Sequence, residues 1–570
     1  MKRSTYVWII ILFFVVLIVA GFVATFVSAF GHARVTVPSR AILEVRLSGP
    51  VDEVPPSDLL SFLMGRNPLT VYDVWMNFRK AKADRRVQAV LVRLGLLECD
   101  WAKAADIRDA ILDFRRSGKK VYAYIEEAPQ FDMEYYVATA CDRVVLQPMG
   151  WLGVTGLGGY VPFFKGLLDK LGVRAEFEHV AEYKTAYNTF TEKGFTPAHR
   201  EEMESVYSGI FADYVKTAAE ARGKSEEQYR VLIDHGLYQG EQAKEAGLVD
   251  DCLYEDELLR LIRGSGPELG RIDILDYARI KPSSLGLETG RKIALVYGVG
   301  PILTGESLPP VMGAATVSRW LKEAGEDDSI AAVVFRVDSP GGSSVGADII
   351  WRAVELAKQA KPVIVSMSDV AGSGGYWVAM GATGIVAQPQ TLTGSIGVLA
   401  GKFSLAGLFA KLGITSEELT FGDKAGLFSI FRAFTPAERE LLLDQIRWTY
   451  DRFLAKVAAG RGLTKEEVDE AGRGRIWTGR QALGLKLVDE LGGLGAAVAS
   501  AKKAAGIPPG EEVRFVIWPK KRTFWQSLFG GGAIGLDLKT PSGRAAALET
   551  LHLAEGTYFW ALMPFWVKPR

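Results

Sequence analysis

The chain is poor in the side chains that most often carry hydrolytic or metal chemistry. Cys99, Cys141 and Cys252 are its three cysteines, and no CxxC pair exists among 570 residues. An odd, sparse count excludes a disulfide framework and thiolate zinc pairs, so these cysteines read as small buried hydrophobes. Histidine is equally scarce: His32, His179, His199, His235 and His552 are the full set, and none stands in HExxH. A zinc hydrolase therefore has little support. An excess of either charge is missing too. Lys plus Arg and Asp plus Glu each number 67, and zero net charge argues against nucleic acid as a partner.

Apolar sequence is plentiful. Hydrophobic residues make up 48% of the chain and charged ones 24%, which suits a globular protein with substantial cores. The length predicts two to four domains. At the N-terminus, Lys2 and Arg3 precede YVWIIILFFVVLIVAGFVATFVSAF, with no charge from Ser4 to Gly31. Roughly 20 apolar residues span a bilayer, whereas a secretory signal has an apolar region of about 7–15. Residues 1–35 are therefore predicted to be an uncleaved signal anchor, a transmembrane helix. Cleavage near the small residues Ser28 and Ala29 is the alternative. Lys2 and Arg3 predict a cytoplasmic N-terminus, with the bulk of the chain across the membrane.

The chain also repeats itself. AVLVRLGLLECDWAKAADIRDAI, from Ala89, matches AVVFRVDSPGGSSVGADIIWRAV, from Ala332. VVLQPMGWLGVTGLGG, from Val144, matches IVAQPQTLTGSIGVLA, from Ile385. FTPAHREEMESVYSGIFADYV, from Phe195, matches FTPAERELLLDQIRWTYDRFL, from Phe434. GEQAKEAGLVDD, from Gly240, matches GRQALGLKLVDE, from Gly479. Four matches in one order predict a tandem duplication, 40–270 and 290–505, followed by an aromatic-rich tail at 506–570.

Within each copy, short β-branched runs such as IALVYGV, SIAAVVFRV and PVIVSMS alternate with helical stretches such as VGADIIWRAVELAKQA. This alternation predicts parallel βαβ layers and an α/β fold. TPAERELLLDQIRWTYDRFLAKVAAG opens with a Thr cap and a Pro at the first helical position, and is predicted to be a helix ending at Gly460.

Three glycine-rich loops of the second copy lie at strand ends, where parallel sheets bind ligands. DSPGGSS places Gly341 and Gly342 before a helix, and their N–H groups are suited to hold an oxyanion. The spacing fits neither GxGxxG nor a Walker loop. DVAGSGGYW offers Ser373 as a lesser candidate nucleophile, and TLTGSIGV offers Ser395 between two nearby glycines. The first copy lacks all three features: GLLEC stands for DSPGG, APQFDMEYY for the AGSGGYW loop, and Val154 for Ser395. A purely structural loop would be needed in both copies, so loss from one points to site machinery.

Ser395 then needs a base. No histidine lies between residues 236 and 551, so the second copy cannot build a Ser-His-Asp triad. His179 sits in the strand-like AEFEHVAEYK, where core packing is expected. A lysine serves as base when burial lowers its pKa from about 10.4 toward neutrality. Lys184 in AEYKTAYNTF and Lys424 in TFGDKAGLFS occupy equivalent positions of the two copies.

SPGGS at 339–343, SGGYW at 373–377, TGSIGV at 393–398 and YKTA at 183–186 together resemble the signal peptide peptidase A (protease IV) family in its long, duplicated form. The resemblance implies tandem ClpP/crotonase-like domains and a Ser/Lys dyad, with Ser395 as nucleophile and the YK lysine of the first copy, Lys184, as base. Single-copy relatives carry their lysine at the position matching Lys424. Relatives commonly have AASGG where this chain has AGSGG, with Gly372. The resemblance further implies no metal or cofactor, hydrophobic signal peptides as substrates, a bacterial cytoplasmic membrane location with the catalytic domains outside, and a homotetramer. A crotonase-type acyl-CoA enzyme and a non-enzymatic membrane scaffold are the alternatives. In the tail, Lys520, Lys521 and Arg522 beside Phe524, Trp525, Leu528 and Phe529 read as an interfacial helix on lipid or a terminal helix packed on protein.

Overall fold

Apolar runs bounded by glycines and acids become strands buried on both faces, as helix-covered parallel sheets require. The computed structural model describes residues 21, 35–55, 68–128, 131–308, 310–520 and 560–562. The predicted anchor and the basic aromatic stretch after Lys520 thus lie outside the described residues, apart from Gly21 and Val35. Among the described residues no helix is long and apolar enough to cross a membrane.

The first copy contains β1 (Ala41–Pro50), β2 (Val87–Glu98), β3 (Lys120–Ile125), β4 (Arg143–Leu146), β5 (Trp151–Val154), β6 (Arg174–His179), β7 (Gly236–Gln239), β8 (Asp251–Cys252) and β9 (Gly270–Asp273). The second contains β10 (Lys292–Val299), β11 (Ile302–Leu303), β12 (Met312–Gly313), β13 (Ile330–Ser339), β14 (Gly341–Ser343), β15 (Val363–Gly372) and β16 (Gly384–Ala387). It continues with β17 (Leu392–Gly394), β18 (Leu399–Ser404), β19 (Ile476–Thr478), β20 (Glu490–Leu491) and β21 (Arg514–Trp518), and β22 (Trp560–Leu562) belongs to the tail.

The first sheet has the order β8-β4-β3-β2-β1-β9, with every pairing parallel. The second has the order β19-β17-β15-β13-β10-β21, with β16 also on β15 and β20 on β16. Each copy adds a short antiparallel pair, β5 with β7 and β17 with β19. The chain is therefore α/β, built twice in the same strand sequence. Each copy also has a long helix, Pro197–Ala221 and Pro436–Arg461, capped by Thr196 and Thr435 with Pro at the start. The second runs past the expected end at Gly460. Gly462, at φ +64°, takes the left-handed terminal position, while Gly460 lets the helix approach Met380, whose carbonyl oxygen would lie 2.3 Å from an added Cβ.

The two copies interlock. Strand β6 of the first pairs antiparallel with β18 of the second, from His179 opposite Leu399 to Arg174 opposite Ser404. Arg336 on β13 is fully buried and donates to Glu53 of the first copy at 2.8 and 3.0 Å, to Asp106, and to the Ser366 and Ser368 hydroxyls. Burial alone would raise the Glu53 pKa, but the Arg336 guanidinium holds it below the ordinary carboxylate value. Such a cluster is weak as a source of net stability, yet it tolerates one arrangement of the two copies, because displacement strands charges away from water.

Candidate active site

Lys184 follows β6 in a turn that the other copy grips. Tyr183 N–H donates to the Arg473 carbonyl at 3.2 Å, and Thr185 Oγ1 donates to Glu202 on the long first-copy helix at 3.0 Å. Gly474, at φ +86°, lies so close that an added Cβ would sit 2.4 Å from Lys184 N. Only glycine permits both that backbone conformation and that approach. Gly397 acts likewise from the other side, since its Cβ would meet Gly474 Cα at 2.8 Å and Lys184 Cδ at 3.2 Å.

This clamp delivers the Lys184 Nζ to three oxygens. Nζ donates to Ser373 Oγ at 2.7 Å, to the Ser395 carbonyl at 2.9 Å and to Ser395 Oγ at 3.0 Å. All three residues are buried, at 1% exposure for Lys184 and 0% for both serines. Ser373 and Ser395 adopt φ of +56° and +50°, unusual for residues with a Cβ. Such backbone costs about 1–3 kcal/mol per residue and persists where surrounding contacts enforce it. Here Ser395 N–H donates to the Arg475 carbonyl at 2.7 Å, and Ser373 N–H to the Gly394 carbonyl at 2.8 Å.

Burial lowers the Lys184 pKa to about 7, against a smaller upward pull from the Glu202 carboxylate. Burial likewise raises Glu202 to about 8, partly opposed by its bonds from Ile476 N–H and Thr185 and by Lys184. Near pH 7.5 both groups therefore favour their neutral forms.

Gly341 and Gly342 have φ of +104° and +148°. A Cβ on Gly374, the residue after Ser373, would lie 3.1 Å from Gly341 Cα and 3.2 Å from Gly342 N, so the glycine pair packs against the serine loop. The Gly341 N–H donates to Ser339 Oγ at 3.2 Å. The two loops share one counterion. Lys103 of the first copy reaches Asp338, before the glycine pair, at 2.8 Å and Asp369, before the Ser373 loop, at 3.1 Å. Its pKa stays well above the ordinary lysine value because these carboxylates outweigh burial.

Of the residues singled out in the sequence, Lys184, Ser395 and Ser373 meet at one point, and Gly341 and Gly342 flank it. Lys424 does not join them: it is exposed in the turn that precedes Leu427. His179 is half-buried, with Nδ1 2.7 Å from the Ala181 carbonyl and its ring on Tyr187. The cysteines are free, and Cys141 is buried. Among the described residues no three His, Cys, Asp or Glu side chains form a group suited to a metal ion. Sequence reasoning missed Glu202, Lys103 and Gly474. For Glu202 a signal existed, since the second copy has Leu441 at the matching position of its long helix. A carboxylate at an apolar repeat position is a buried charge in search of a partner.

Comparison with known proteins adds an independent line. Peptidase family S49 matches residues 113–264 and 355–508. The chain is 32% identical to "Serine protease SPPA, chloroplastic" of Arabidopsis thaliana, over 94% of this chain and 79% of that one. It is 32% identical to "Protease 4" of Haemophilus influenzae, over 78% of this chain and 75% of that one. For "Protease 4" of Salmonella typhi the identity is 30%, over 87% and 83%. Among solved structures, ClpP1 from Listeria monocytogenes aligns at 15% identity over 35% of this chain and 91% of that chain, with a TM-score of 0.23.

Proposed function

The chain belongs to peptidase family S49 and is a serine protease; on that premise we propose that it is a signal peptide peptidase of the protease IV kind, in which Ser395 is the nucleophile and Lys184 its general base. The observation that carries the assignment of roles is the 3.0 Å contact between Lys184 Nζ and Ser395 Oγ inside a dry pocket. A lysine at pKa about 7 is substantially neutral at physiological pH, and a neutral Nζ accepts the proton that its ammonium form cannot.

The steps follow from these positions. Lys184 Nζ takes the Ser395 Oγ proton as Oγ attacks the peptide carbonyl. Gly341 and Gly342 N–H groups receive the developing oxyanion, with Gly341 giving up its bond to Ser339. One such donor is typically worth about 3–4 kcal/mol of barrier. The Lys184 ammonium then protonates the departing amine, which leaves an acyl-Ser395. Water hydrolyses that ester, with Lys184 again as base. Ser373 Oγ holds Nζ in line throughout. Lys103 acts one step back by fixing the spacing of Asp338 and Asp369, and so of the two loops.

Hydrophobic signal peptides, membrane association and a homotetramer complete the reading. The uncharged run from Ser4 to Gly31 supports a membrane location, with the catalytic copies on the outer side of a bacterial cytoplasmic membrane. Leu419 and Phe421, at 90% and 96% exposure, offer apolar surface for lipid or a neighbouring copy. The test is cleavage of casein and of a synthetic signal peptide by detergent-solubilised protein and its Ser395→Ala variant. Loss of both activities is expected, and retained activity in the variant overturns the assignment.

A further inference from the structure

Four consecutive residues of the second copy tie the lysine turn to the serine loop. The Arg473 carbonyl accepts from Tyr183 N–H at 3.2 Å, and Gly474 packs against the Lys184 backbone. The Arg475 carbonyl accepts from Ser395 N–H at 2.7 Å. Ile476 opens β19 and lies opposite Gly394 on β17, the residue before Ser395. This short run therefore sets how far the lysine turn stands from the serine.

The run is itself held by a side chain of the first copy. Ile476 N–H donates to Glu202 Oε1 at 2.7 Å, and Thr185 Oγ1 donates to Glu202 Oε2 at 3.0 Å. One carboxyl oxygen thus grips the strand behind Ser395, and the other grips the residue after Lys184. The path closes on itself. It runs from Lys184 through Thr185, Glu202, Ile476 and Arg475 to Ser395, and returns through the 3.0 Å contact of Oγ with Nζ. Both bonds of Glu202 survive protonation of the carboxyl, because the Thr185 hydroxyl accepts as readily as it donates. Glu202 has 0% exposure, where a carboxyl is costly to place. The second copy has Leu441 at the matching position of its own long helix, so the fold does not require an acid there. Ser395, at φ +50°, holds a conformation that persists only when its neighbours enforce it.

We propose that Glu202 is a positioning residue, which braces the lysine turn against the strand behind Ser395 and so fixes the distance over which the proton passes. The inference rests on Ser395 and Lys184 being the dyad. Glu202 acts through Thr185 and Ile476 rather than on the reacting atoms. A general base works within hydrogen-bond reach of its proton, and a misplacement of about 1 Å costs up to about 10²-fold in rate. Because Glu202 lies on the first copy's long helix, the dyad takes its geometry only when that helix docks on β19.

The test measures kcat and KM of the full chain and of its Glu202→Leu, Glu202→Gln and Thr185→Val variants on a fluorogenic apolar peptide. Glu202→Leu matches the second copy and removes both bonds. It is expected to lower kcat about 10–10²-fold with KM changed by less than about twofold. Glu202→Gln is expected to recover most of kcat, since its carbonyl oxygen accepts from Ile476 N–H and its amide donates to Thr185 Oγ1. A residue that merely filled space would not distinguish leucine from glutamine, which are similar in size. Thr185→Val cuts only the bond toward Lys184, and decides the matter should Glu202→Leu fail to fold. A loss of about threefold or more in kcat is expected there. Unchanged kcat in Glu202→Leu or in Thr185→Val overturns the proposal, and so does a Glu202→Gln variant as slow as Glu202→Leu. Ser395→Ala, assayed alongside, separates the two ideas. Its retained activity sinks the assignment of the nucleophile, whereas its inactivity combined with unchanged kcat in Glu202→Leu sinks only the brace.

Discussion

Lys184 Nζ stands 3.0 Å from Ser395 Oγ although 211 residues separate the two in the chain. The contact exists because β6 of one copy pairs with β18 of the other, which brings the turn after β6 beside the loop before β18. On the proposed assignment, one copy supplies the base and the other the nucleophile, within a single chain.

The two lysines at equivalent repeat positions should behave oppositely. Lys184→Ala is expected to lower kcat/KM for a peptide by about 10²–10⁴-fold, the usual span for a lost general base. Lys184→Arg should be as inactive, since a guanidinium stays charged. Lys424→Ala should leave activity near that of the unmodified chain, because Lys424 is exposed. A peptidase assay on the three variants checks this, and loss with Lys424→Ala alone would move the base to the second copy.

The pH dependence should follow the lysine. Lys184 acts as base only when neutral, so kcat/KM should fall as pH drops below about 7. Burial raises the Glu202 carboxyl to about 8, so it is protonated across that limb and exerts little pull on the Lys184 ammonium there. Glu202→Gln, which mimics the protonated carboxyl, should therefore leave the acid limb close to its position. A pH–rate profile of both proteins checks this, and a limb displaced to lower pH in the variant would mean that Glu202 is charged beside Lys184.

Ser373 should matter through the lysine rather than as a second nucleophile. Ser373→Ala removes the shortest bond to Nζ, 2.7 Å. A hydrogen bond to a charged group contributes about 1.5–3 kcal/mol. The variant should therefore lose roughly one to two orders of magnitude in kcat/KM and keep measurable turnover. Labelling with an active-site-directed acylating reagent should still modify Ser395.

The buried ion cluster should control assembly of the two copies. Arg336→Met leaves Glu53 and Asp106 in a dry site without their guanidinium. Breaking one partner of such a group costs about 3–5 kcal/mol. Urea unfolding of the variant should show a clearly lower midpoint, and an unchanged midpoint would mean that water reaches the cluster.

The α/β alternation and the doubled order of elements were legible because they rest on local periodicity and capping. The run SIAAVVFRV forms β13, and Thr435 with Pro436 opens the long helix, through interactions within a few residues. The end of that helix was legible only to within a turn, since Gly460 and Gly462 are alike in sequence and differ in whether Met380 lies alongside. Glu202, Lys103 and Gly474 escaped notice because each is defined by what packs against it from the other copy.

By itself the sequence determined the duplication, the family resemblance, and the asymmetry in which Val154 stands where the second copy has Ser395. The repeat alone narrowed the base to Lys184 or Lys424, which follow the same pattern, and the family resemblance pointed to Lys184. Tertiary structure decided between their surroundings. It buried Lys184 against Ser373, Ser395 and Glu202, and left Lys424 in water. The reason is that desolvation is a property of packing between distant segments. A lysine's pKa depends on what surrounds Nζ, and β6 meets β18 only once both copies have folded together.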